Sequence, residues 1–68
     1  MSKLAVKVGK NIRKIRKEKG FSQESLALQA KLDRSYVGRI ERGEANISLD
    51  VLYLLAATID CDPRLFLP

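Results

Sequence analysis

Only three residues, Lys31, Leu32 and Asp33, separate two short helical patterns in this 68-residue chain. Before them, Leu26, Ala27 and Ala30 fall on one side of a helix; after them, Val37 and Ile40 do the same. Two short helices joined so tightly must cross steeply, at roughly 90–120°. The pair is a helix-turn-helix, and everything else in the chain must pack around it. Its second helix has only Val37 and Ile40 to anchor it. The opposite side, bearing Arg34, Ser35, Gly38, Arg39 and Arg42, is left free.

The flanking sequence is helical as well. Leu4, Val8, Ile12 and Ile15 recur at intervals of three and four, forming the apolar face of a first helix that Gly20 terminates. Ser22 is an N-cap, with Glu24 placed favourably in the first turn. Asp33 caps the third helix and Gly43 ends it. After the loop from Glu44 to Ile47, Ser48 caps a fourth helix with Asp50 in its first turn. Asp62-Pro63 starts a short fifth helix running through Phe66. No alternating strand pattern occurs. The expected fold is all-α: one five-helix domain over residues 1–68, with the helix-turn-helix at about 22–43.

The fourth helix differs from the others. Leu49, Val51, Leu52, Tyr53, Leu54, Leu55, Ala56, Ala57 and Ile59 cover nearly its whole circumference. A helix apolar all round is expected to be buried all round. Two arrangements satisfy that. Either the helix is central and the other four wrap it, or part of it joins the C-terminal residues, about 48–68, in a dimer interface. Leu54, Leu55, Thr58, Ile59 and Phe66 are the interface candidates.

Composition narrows the chemistry. There is one cysteine, Cys61, and no histidine, so neither an internal disulfide nor a zinc site is expected to staple this small domain. Catalysis finds no foothold: Cys61 has no base partner, the carboxylates sit at capping or pairing positions, and there is no Gly-rich phosphate loop. The chain reads as a non-enzyme without cofactor or metal, and Cys61 as a small apolar side chain. No apolar run approaches a membrane span, and the basic N-terminus lacks the apolar region of a secretory signal, so the expected setting is cytoplasmic.

The net charge of +5 is unevenly spread. Residues 1–20 hold eight Lys/Arg against one Glu, whereas residues 44–68 hold one Arg against four acids. A basic end suits a polyanion. With only four aromatic residues there is no stacking platform for single strands or RNA. Duplex DNA fits better, because arginine bidentate to guanine is the commonest specific contact in the major groove. Gly38 then needs a reason, since a mid-helix glycine costs roughly 0.5–1 kcal/mol relative to alanine. It either lets the flanking arginines approach DNA more closely, or closes a tight contact with the second helix, or is a tolerated defect.

Residues 11–67 resemble the helix-turn-helix family of phage repressor and Cro proteins. Within that family, "SQESLA", "LDRSYVGRIERGEANISL" and "CDPRLF" look like the controller proteins of restriction–modification systems. The resemblance implies a homodimer that binds a palindromic operator and regulates transcription, its own included. It implies Arg34, Ser35 and Arg39 as base readers, and Ser22, Gln23, Tyr36, Arg42 and Asn46 at the DNA backbone. It also implies an ion pair between Arg16 and Glu41, worth about 2–4 kcal/mol if only one side is removed. RNA polymerase is a further partner open to such a regulator. Two positions depart from the pattern: Lys31 stands where the family usually has the glycine of the turn, and Ala45 where controllers often carry arginine. An antitoxin or phage-type repressor of the same fold stays open as an alternative. So does a protein-interaction module that docks an acidic partner.

Overall fold

Five N-caps set the architecture. In the computed structural model, which describes residues 2–68, Ser2, Ser22, Asp33, Ser48 and Asp62 each accept a backbone N–H with a side-chain oxygen. They open α1 (Lys3–Glu18), α2 (Gln23–Ala30), α3 (Arg34–Glu41), α4 (Leu49–Thr58) and a terminal 3-10 turn (Pro63–Phe66). Each cap satisfies a donor that the first helical turn leaves unpaired. The α2 cap is reciprocal: Ser22 Oγ accepts from Ser25 N, and Ser22 N donates to Ser25 Oγ, both at 2.9 Å. The described residues are all helix and loop, so the all-α expectation holds. The fifth helix does not: the four residues Pro63–Phe66 close only a 3-10 turn, leaving four α-helices.

The core is a layer in which every element takes part. Val8 and Ile12 of α1, Leu26, Ala27 and Ala30 of α2, and Val37 and Ile40 of α3 meet Leu52, Leu55 and Ala56 of α4, followed by Ile59 and Phe66. The α3 helix rests on α1 and α2, while α4 rests on α2 and the 3-10 turn, which in turn reaches α1. Asn11 fastens that last contact by donating its Nδ2 to the Phe66 carbonyl at 3.0 Å. The result measures 27 × 23 × 20 Å. Among the described residues, no helix is long and apolar enough to cross a membrane.

Two expectations about apolar residues are corrected. Leu4, placed on the buried stripe of α1, lies mostly exposed, at the rim of an apolar pocket that it shares with Ile47, Leu49 and Leu67. The other correction concerns α4. Leu55, Ile59 and Phe66, proposed for a dimer interface, are buried within this chain, at 0 to 2 % exposure. They have no surface left to offer a second copy. A helix apolar all round proves not to be buried all round: Leu49 is 73 % exposed, Tyr53 59 % and Leu54 38 %.

Candidate nucleic-acid interface

The turn of the helix-turn-helix is made by a strained residue. Lys31 adopts the left-handed conformation (φ 59°, ψ 40°), and its N–H returns to carbonyls at the end of α2. Any side chain strains this conformation, by roughly 1–2 kcal/mol. So the turn that usually takes glycine is kept here by lysine. Leu32 N then bonds Ala27 O at 2.8 Å, and Asp33 begins α3.

Val37 and Ile40 point inward, and Arg34, Ser35 and Arg39 are exposed on the far side of α3. Asp33 Oδ1 accepts from both the backbone N and the hydroxyl of Ser35, each at 2.9 Å. Those bonds, the backbone one foremost, hold the Asp33 carboxyl below its ordinary range. The guanidinium of Arg39 stands over the Tyr36 ring, 5.5 Å from its centroid, which limits where the long side chain can swing. Tyr36 itself is half-buried against the core. Asn46 is exposed in the loop beyond Gly43.

Beside this face lies a second charged group that is fully satisfied. Arg16 and Glu41 form a bidentate pair, Nε to Oε2 at 2.6 Å and Nη2 to Oε1 at 2.9 Å, with side chains 7 % and 2 % exposed. Arg16 Nη1 also donates to the Phe21 carbonyl at 2.8 Å, and Gln23 Nε2 donates to Glu41 Oε1 at 3.0 Å. One network thus ties α1, the start of α2 and the end of α3, and no buried polar side-chain atom among the described residues lacks a partner. Gln23, expected at the DNA backbone, is engaged here through one amide hydrogen and keeps the second. Ser22 Oγ is engaged by the α2 cap.

Around this network opens a cleft of about 480 Å³ lined by Arg13, Ser22, Gln23, Arg34 and Arg42 above the Arg16–Glu41 pair. Glu41 neutralises Arg16, so the uncompensated charge comes from Arg13 and Arg34. Arg42 is shared with Glu44 through an exposed bond, Nε to Oε2 at 3.1 Å. That hydrogen bond raises the Arg42 pKa and lowers that of Glu44.

Three residues of this site were not legible in the sequence. Arg13 was one of many basic residues on α1, and only the packing of α1 against α3 brings it to the cleft. Gly9 carries the second surprise. A Cβ there would run into the carbonyl oxygen of Ile40 and lie 2.7 Å from that of Glu41. It is the close approach of α1 to the end of α3 that requires glycine. Gly43 is the third: at φ +77° it is left-handed, and a Cβ would meet Val6 Cα at 2.7 Å. Its place as a helix stop was readable, but its contact with α1 was not.

A helix-turn-helix family model matches residues 12–66. The control protein C.MunI of a Mycoplasma species is 43% identical over 58 residues, covering 84% of this chain and 78% of that protein. The chain belongs to the controller-protein branch of the helix-turn-helix family. Among solved structures, the restriction–modification controller C.AhdI from Aeromonas hydrophila superposes with a TM-score of 0.87 at 48% identity. That match covers 91% of this chain and 94% of the other. The controller C.Esp1396I, solved as a tetramer on its natural 35 base-pair operator, superposes with a TM-score of 0.87 at 39% identity. The shares covered there are 97% and 87%.

Proposed function

We propose that this chain is a cytoplasmic regulator of transcription of the restriction–modification controller type. It binds a palindromic operator in double-stranded DNA as a homodimer and controls the operon and its own gene. The observation that carries this reading is the bare side of α3. Its guanidinium groups face solvent, while Val37 and Ile40 hold the helix from behind. A helix presented in this way enters the major groove with its first residues toward base edges.

In this reading Arg34, Ser35 and Arg39 read bases. Arg13, Gln23, Tyr36, Arg42 and Asn46 hold the backbone on either side of them, helped by the N–H groups at the start of α2. The second copy joins through the apolar side that α4 leaves bare. Leu54 and Thr58 stay in that interface, with Tyr53 and Leu65 beside them, and all four are at least partly exposed. A body 27 Å in its longest direction, doubled about a two-fold axis, puts two α3 helices on the scale of one turn of B-DNA, roughly 34–36 Å.

A gel shift on duplex from upstream of the gene, with random duplex as competitor, tests the reading. Retardation should survive random competitor and weaken steeply with salt, by about 0.9 in log–log slope for each phosphate neutralised. Retardation lost equally to any duplex would remove the specific-regulator reading.

A further inference from the structure

We propose that Gly38 is a positioning residue for Arg42, keeping its guanidinium folded over α3 so that it faces a DNA phosphate in the cleft beside Arg13 and Arg34. This rests on the DNA-binding reading above. Arg34, Gly38 and Arg42 follow one another at intervals of four, one stripe along α3. The two arginines line the cleft, and the glycine between them is buried although it lies on the side away from the core. What covers it are side-chain ends. A Cβ on Gly38 would lie 3.2 Å from Arg42 Nη1 and 3.7 Å from Gln23 Oε1.

The contact distinguishes between the readings of this mid-helix glycine. No backbone of α2 presses on it, so it does not serve a close helix–helix approach of the kind Gly9 makes. It does not lie bare toward the groove either, because Arg42 lies across it. Arg42 is bracketed instead: Glu44 holds Nε at 3.1 Å from one side, and the missing methyl seats Nη1 on the other. The bond to Glu44 leaves the Nη groups for an anion. A methyl group at position 38 crowds that seat, so that Nη1 must give way by a few tenths of an ångström and loses its rest over the helix. The helix tolerates this, because what must yield is the far end of a flexible side chain.

The test measures binding of wild type, Gly38→Ala, Arg42→Ala and the double variant to the upstream duplex and to a random duplex of equal length, across a salt series. Arg42→Ala should weaken both duplexes by about tenfold, as loss of one charged hydrogen-bonded contact does, and Gly38→Ala should weaken both by a smaller common factor, about threefold. The log–log salt slope should fall by about 0.9 for Arg42→Ala and by a fraction of that for Gly38→Ala. Its melting temperature should not drop, since alanine favours helix. With Arg42 already alanine, the glycine substitution should change nothing further. The proposal is overturned if Gly38→Ala binds like wild type, if its loss is confined to the upstream duplex, or if the same loss persists without Arg42. Wild type failing to prefer the upstream duplex would instead overturn the regulator reading. The random-duplex affinities and salt slopes would still decide the Gly38 proposal.

Discussion

Helices α3 and α4 are nearly equal in length, and each leaves one side bare. The bare side of α3 carries Arg34, Ser35 and Arg39; that of α4 carries Leu49, Tyr53 and Leu54. On α3 the apolar residues are so few that each one must face the core. On α4 they are so many that periodicity no longer points inward. The contrast teaches that a sparse apolar pattern specifies orientation, whereas a saturated one only signals that more than one surface wants covering. The two bare sides also call for different partners, a polyanion for one and another apolar surface for the other.

The largest effects are expected at the anchor of α3 and on the inner side of α4. Glu41→Ala leaves Arg16 buried without its carboxylate, its bond to the Phe21 carbonyl remaining, and stability should fall by about 2–4 kcal/mol. Urea titration would read this as a lower midpoint at unchanged slope. A fall below about 1 kcal/mol would rank the pair with surface bridges. Next comes the division of α4. Leu55→Ala should cost the fold about 2–5 kcal/mol. Leu54→Ala should stay within about 0.5 kcal/mol for the isolated chain while weakening self-association. Denaturation together with sedimentation at several concentrations separates the two. If Leu54 proves the more costly, the inside and outside of α4 have been exchanged.

The bare side of α3 gives a smaller effect. Arg39→Ala should lose about 1–3 kcal/mol on the operator and relax preference at one base, while random duplex is nearly unaffected. Equal losses on both would move its guanidinium to the backbone. The smallest effect belongs to the turn between the compared halves of the motif. Lys31→Gly should relieve left-handed strain and raise stability by about 0.5–1 kcal/mol, the gain being trimmed by the greater freedom of unfolded glycine. A lower melting temperature would mean that the lysine side chain contributes more than its backbone conformation costs.

Much of this was readable in advance, for identifiable reasons. Ser22, Asp33, Ser48 and Asp62 cap where expected, because a cap needs only its own side chain and an N–H two or three residues on. Leu26, Val37 and Ile40 are in the core as the spacing requires. The pairing of Arg16 with Glu41 came from resemblance alone, since nothing local links residues 25 apart in sequence. Arg13 gave no signal, being one of eight basic residues in the first twenty. Gly9 and Gly38 gave an ambiguous one: each is an interruption in a helix, and the sequence does not say what lies over it.

What acts over a few residues was legible from the chain alone: helices α1 to α4, the caps of α2, α3 and α4, the short turn between α2 and α3, and the side of α3 that stays polar. Tertiary structure alone decided which residues of α4 are inside, why α1 needs Gly9, and what Arg42 rests on. The reason is range. Hydrogen bonds of a cap and the period of a helix are closed within one or two turns. The surfaces that cover Leu55, Gly9 and Gly38 come from other segments, brought there only when the whole chain packs.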